Sequence, residues 1–168
     1  LGKISGSMIG IKVIAKIENN HGIKNLKDIL QLADGIMIDR GDLSSSPGII
    51  NIAITQKDII KLAQKYRKPT IVATELLSSI LKKTLPTKSE ISDITNAVYD
   101  GCSATMLSEE TVSEKHPHLI VRTMKKIIST TLTHQLKREN ENFCTRIMAL
   151  RMRSFSMFSI SKTQSYSL

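Results

Sequence analysis

The chain has 168 residues, of which 40% are apolar and 23% charged, proportions that suit one globular domain with a real core. No apolar stretch approaches the roughly 20 residues a membrane span needs, and Cys102 and Cys144 are too few for a disulfide framework, so a reduced, cytoplasmic setting is expected. The 24 Lys and Arg against 15 Asp and Glu give a net charge of +9, yet aromatics are only 4% and no basic run interleaves with stacking residues, which argues against a nucleic-acid binder.

The start, Leu1-Gly2-Lys3, has neither Met nor a signal-peptide layout and reads as a chain entered in mid-element, so an upstream portion is expected. Ile11 to Ile17 is short, β-branched and nearly continuous, as a buried strand should be. Ile23, Leu26, Ile29, Leu30 and Ala33 recur at helical spacing, and Gly35 suits a left-handed cap to that helix. Ile36 to Ile38 is a second strand, and Leu43 to Gly48 a Ser/Pro/Gly loop. Ile49 to Tyr66 reads as helix, Thr70 to Ala73 as a third strand, and Leu76 to Leu81 as a short helix. Thr87 with Glu90 is a capping-box signature for the helix carrying Ile91, Ile94, Ala97 and Val98. Asp100-Gly101 turns the chain into a fourth strand, Ala104 to Leu107, and Pro117 opens the last long helix.

The pattern is strand then helix, four times over, as in an α/β fold with a parallel sheet and right-handed crossovers. Four such units make half of an eight-stranded barrel. From Thr131 the periodicity degrades, and Ser154 to Leu168 reads as a mobile tail. Residues 1–130 are therefore expected to form the barrel-like portion and residues 131–168 a helical extension with a basic tail.

Polar groups recur where the apolar runs end: Lys16 with Glu18, then Asp42, Thr74 and Ser108. Polar side chains at the carboxyl ends of parallel strands are how a β/α barrel builds an active site. Lys16 and Glu18, two apart, share a strand face. They could form a plain salt bridge, but such charges at the end of an apolar run are costly unless paired or ion-bound. Gly41 frees the backbone to turn and expose amides to an anion. Asp42 could join Glu18 on Mg²⁺ or Mn²⁺, or merely cap the loop that follows. Thr74 and Ser108 are weaker signals, because such hydroxyls usually bond to nearby backbone. One ammonium and two carboxylates suggest metal-assisted chemistry on an anionic substrate. His21, His116, His118 and His134 show no metal-ligand spacing, and no glycine-rich nucleotide loop is present.

Several segments together resemble the pyruvate kinase family: residues 12–19 (KVIAKIEN), 34–43 (DGIMIDRGDL), 68–74 (KPTIVAT), Pro86-Thr87 with Glu90, 96–101 (NAVYDG), 106–111 (MLSEET) and 121–124 (VRTM). Their order and spacing agree from about Ile11 to Ser129, and residues beyond are not covered. The resemblance implies strands five to eight, with flanking helices, of a partial (β/α)8 barrel and the reaction of phosphoenolpyruvate with ADP to pyruvate and ATP in glycolysis. It further implies Lys16 on the transferring phosphoryl group and the enolate, and Glu18 and Asp42 on Mg²⁺ or Mn²⁺. The Gly41 and Asp42 amides would hold the substrate carboxylate with Thr74, while Ser108 would belong to the proton-delivery region beside Glu110.

The family's K⁺ ligands, substrate-binding arginine and part of its nucleotide site lie in earlier strands, so the isolated chain is expected to be inactive. A homo-oligomer is expected of the full-length family. Seven positions depart from the family pattern: Asp39 stands for Ala, Glu75 for Gln, Glu109 for Gly, Ser44 to Ser46 for Gly-Ile-Glu, and His21 for an acidic or small residue. The alternative is an inactive remnant or interaction subunit that keeps the barrel fold.

Overall fold

The computed structural model describes residues 10–44, 49–81, 85–112 and 116–160, in backbone alone from residue 143. The chain divides into two units, Leu1–Ile128 and Ser129–Leu168. In the first unit, strands β1 (Ile14–Ile17), β2 (Gly35–Asp39), β3 (Thr70–Ala73) and β4 (Ala104–Met106) form one sheet in the order β1-β2-β3-β4. All neighbours are parallel, with Ile17 beside Ile38, Ile38 beside Val72 and Val72 beside Thr105. A parallel pair needs a long crossover, and helices fill each one: α1 (Asn20–Lys24) and α2 (Leu26–Leu32), then α3 (Arg40–Ser44) and α4 (Ile52–Lys65), then α5 (Lys88–Tyr99). After β4 come α6 (Glu109–Val112) and α7 (Pro117–Ile160).

Alternation along the strands divides the sheet into two unlike faces. Ile17, Ile36, Ile38 and Val72 are fully buried on one face, against Leu30, Ile59, Ile60, Ala63, Ile94, Ala97 and Ile120 from the helices. Each of these Ile, Leu and Val side chains contributes about 1.5–3 kcal/mol by leaving water. The other face carries Ile14, Lys16, Met37, Ile71 and Ala104, which are exposed or half-buried and stand outside that core. A parallel sheet is ordinarily covered on both sides, but the helices of the described residues cover one.

Several boundaries differ from the sequence reading for local reasons. The ladder begins at Ile14 rather than Ile11, because Val13 is fastened to the approach to β2: its N–H donates to Asp34 Oδ2 at 2.8 Å and its carbonyl accepts from the Asp34 N–H at 2.8 Å. The single helix expected over 23–33 starts earlier, capped by Asn19, and is broken at Asn25. The Asn25 side chain donates to the His21 carbonyl at 2.9 Å, the kind of local bond that competes with helix continuation. Gly35 is no helix cap. It lies in β2, where an added Cβ would come within 2.9 Å of both Ile14 Cδ1 and Pro69 Cγ. Residues 76–77 are not helical, and Ser78–Leu81 form one 3-10 turn. The expected loop opens in helix, since α3 runs to Ser44, and residues 45–48 fall outside the described set. Residues 154–160, expected in a mobile tail, have helical backbone, while 161–168 lie outside the described set.

The capping box is formed as read: Thr87 Oγ1 accepts from the Glu90 N–H, and Glu90 Oε2 accepts from the Thr87 N–H at 2.7 Å. Glu90 also accepts from the Ser79 amide at 2.7 Å and from the Ser79 hydroxyl, tying the 3-10 turn to α5. Thr87→Ala is expected to cost about 1 kcal/mol. A urea midpoint unchanged by that substitution would contradict a stabilising cap.

Candidate functional site

The parallel register brings the carboxyl ends of β1, β2 and β3 side by side, and with them Lys16, Asp39 and Thr74. Lys16 projects from the half-open face at the end of β1, and its ammonium meets three carboxylates at once. Nζ lies 2.7 Å from Glu18 Oε2, 2.8 Å from Asp39 Oδ2 and 3.1 Å from Asp42 Oδ2. Oxygens of the three carboxylates all lie within 4.8 Å of one another. The contact with Asp39 first, then those with Glu18 and Asp42, raise the Lys16 pKa well above the ordinary lysine value.

Asp39 differs from the other two acids. Its side chain is 9% exposed, against 40% for Glu18 and 61% for Asp42. Burial alone would push its pKa up, but the bonds from Lys16, Thr74 and the Asp42 amide outweigh that and hold the carboxyl below its ordinary range. Asp39 Oδ1 lies 3.0 Å from Thr74 Oγ1 and 3.4 Å from the Asp42 amide nitrogen, so both its oxygens are engaged.

Thr74 and Glu75 follow β3 with φ of 66° and 53°, the left-handed region that non-glycine residues avoid. Two buried charges hold this turn. From one side the Arg40 guanidinium donates to the Thr74 carbonyl at 3.0 and 3.3 Å and to the Glu75 carbonyl at 2.8 Å, and pairs with Asp93 on α5. From the other, Glu110 accepts from the Leu76 and Leu77 amides at 3.3 Å each and from the Ser108 amide at 2.7 Å. The turn aims Thr74 Oγ1 back at α3, where it accepts from the Gly41 N–H at 2.9 Å. Its own proton lies between Asp39 Oδ1 and the Ala73 carbonyl, 2.7 Å away.

Asp39, Gly41, Asp42, Thr74, Ser108 and Glu110 line one cleft of about 300 Å³. Lys16 and Glu18 are not part of its lining and reach it through Asp39 and Asp42. All six sequence candidates therefore gather at one end of the sheet. The reason given for Gly41 does not hold: its φ is not positive, and an added Cβ would stand 3.5 Å from Thr74 Oγ1, an ordinary contact. Sequence reasoning marked Asp39 only as a departure from the family pattern and passed over Arg40 as a site residue. The available signal was a charged pair directly after the apolar run Ile36–Ile38, where alternation places Asp39 on the face of Lys16.

The cluster can hold a positive charge among oxygens, and the cleft beside it presents hydroxyl groups and a shielded acid. Residues 4–121 match the family model described as pyruvate kinase, barrel domain. The pyruvate kinase of Thermotoga maritima is 43% identical over 117 residues, covering 70% of this chain and 25% of that protein. That of Chlamydia trachomatis serovar L2 is 45% identical over 119 residues, covering 71% and 24%. A solved pyruvate kinase from Cryptosporidium parvum superposes with a TM-score of 0.71 at 38% identity, over 73% of this chain and 25% of that one. The chain thus spans about a quarter of the length of the relatives it matches.

Glu110→Ala would leave the Leu76, Leu77 and Ser108 amides without this acceptor. We expect a loss of about 2–3 kcal/mol and faster amide exchange at Leu76 and Leu77; unchanged exchange there would show that the turn does not depend on it. Asp34, Asp39 and Glu90 all have folded pKa values below their ordinary ones. The stability they contribute is complete above the unfolded carboxylate pKa of about 4 and is lost as pH falls through the lowered folded values. Urea midpoints should hold steady from about pH 7 to 5 and drop progressively below about pH 4; a midpoint constant into stronger acid would contradict it.

Proposed function

The chain belongs to the pyruvate kinase family, and we propose that it forms strands five to eight of that family's catalytic (β/α)8 barrel, with half of the active-site ring at their carboxyl ends. In the complete enzyme this ring serves phosphoryl transfer from phosphoenolpyruvate to ADP, giving pyruvate and ATP. Residues 1–130 are assigned to the half barrel and residues 131–168 to a second segment of the chain. The setting is cytoplasmic, the full-length assembly a homo-oligomer, and the K⁺ of the family is bound by residues outside this chain.

The observation that carries this reading is the Lys16 ammonium between Glu18, Asp39 and Asp42 at the strand ends. A donor set that already encloses one cation, and offers hard carboxylate oxygens, fits Mg²⁺ or Mn²⁺. Glu18 and Asp42, the two more exposed acids, would hold it. When bound, a divalent cation neutralises charge on phosphoryl and carboxylate oxygens.

The chain's own residues divide the remaining work. Phosphoryl transfer asks mainly for positioning and charge neutralisation. Lys16 stays protonated and offsets negative charge as it passes to the phosphoryl group and then to the enolate. Thr74 and the Gly41 and Asp42 amides orient the substrate carboxylate. Ser108, whose amide Glu110 holds, stands at the cleft where the enolate takes up its proton.

A second reading, an inactive remnant or interaction subunit that keeps the fold, draws support from one observation. Asp39, where the resemblance leads one to expect Ala, brings a third carboxylate against Lys16.

Calorimetric titration with Mn²⁺ separates the two. The catalytic reading expects saturable binding that Glu18→Gln weakens at least about tenfold, as losing one of two carboxylate ligands should. Absence of binding, or binding indifferent to Glu18, would favour the remnant.

A further inference from the structure

We propose that Asp39 is a built-in stand-in for the substrate carboxylate, so that this chain closes its own anion cradle and Asp39 decides whether a carboxylate ligand can enter. The inference rests on the reading above, in which Thr74 and the Gly41 and Asp42 amides receive a ligand carboxylate with the Lys16 ammonium close by.

The bonding of Asp39 matches what such a ligand would make. One oxygen takes the Lys16 ammonium at 2.8 Å. The other lies 3.0 Å from the Thr74 hydroxyl and 3.4 Å from the Asp42 amide nitrogen. The remaining amide, that of Gly41, donates to Thr74 Oγ1 at 2.9 Å. Each donor of the cradle is thereby directed at the chain itself. A carboxylate accepting several hydrogen bonds, one of them from an ammonium, is held firmly.

Position strengthens the case. Asp39 is fixed in β2, with its side chain shielded between the end of β3 and α3, so it does not swing away as a surface acid would. An incoming carboxylate must take the same donors and also lie beside the Asp39 charge. Like charges held close together repel strongly where water is scarce. Glu18 and Asp42 are not replaced in this scheme, so closure to anions and retention of a cation are separable properties of one cluster. An Ala at this position would leave the Lys16, Thr74 and Asp42 donors facing the cleft.

The test is titration of oxalate, a small dicarboxylate, into the full 168-residue chain, with and without saturating Mn²⁺. Binding is read by calorimetry and by the backbone amide signals of Asp42 and Thr74, for the unaltered chain, Asp39→Ala and Asp39→Asn. We expect the unaltered chain to show no saturation in the low millimolar range. Asp39→Ala should bind at least about tenfold more tightly, with shifts at Asp42 and Thr74, and Asp39→Asn should fall between, since it keeps the occupant's shape without its charge. Equal binding by the unaltered chain and Asp39→Ala overturns the proposal. So does failure of both variants to bind, and so does loss of the folded amide spectrum in both, which would make Asp39 a structural ion-pair partner. Mn²⁺ binding without oxalate reports on the metal assignment by itself, so failure of that assignment is distinguishable from failure of this inference.

Discussion

The buried guanidinium of Arg40 is the interaction on which the candidate site depends. It begins α3 directly after β2, reaches across to the Thr74 and Glu75 carbonyls beyond β3, and pairs with Asp93 on α5. Two consecutive residues at positive φ cost on the order of 1–3 kcal/mol each, and such a turn persists only where its surroundings fix it from several directions. Arg40 takes the carbonyls on one side, and Glu110 takes the amides of Leu76 and Leu77 on the other. Without that grip the Thr74 hydroxyl would have no reason to point at Gly41 and Asp39. The buried Arg40 charge is tolerable because its donors are met by carbonyls and a carboxylate.

Held in this way, the strand ends concentrate charge of one sign in a protein of the other. The chain carries +9 overall, yet the Lys16 cluster sets three carboxylates around one ammonium. Three carboxylates against one ammonium leave the cluster with net negative charge, which by Coulomb's law favours a further cation over an anion. Asp39 adds to that negative charge from a shielded position.

The legible parts of the fold were those whose signals are local. The Ile36–Ile38 and Thr70–Ala73 runs, the Thr87–Glu90 capping box and the start of α7 at Pro117 each depend on a few neighbouring residues, and each lies at or close to its expected place. The break at Asn25 was hidden because the apolar spacing from Ile23 to Ala33 continues through it, while an amide-to-carbonyl bond decides the matter. In the site, alternation was enough to put Lys16 and Glu18 on one face, and the register brought Asp42 and Thr74 to them. The clamps were not legible. Arg40 meets Thr74 across 34 residues and Asp93 across 53, and nothing in either neighbourhood announces the partner. Asp39 was visible as a departure from the family pattern, but its burial and its grip on Thr74 appear only once β2 and β3 are paired.

In the reading proposed here, the ends of β1 and β2 form one cation centre. Anomalous diffraction from crystals grown with Mn²⁺ tests it most directly. A single strong peak is expected beside the carboxylates of Glu18 and Asp42, with Lys16 Nζ still against Asp39. A peak elsewhere on the chain, or none with those carboxylates turned apart, would contradict it.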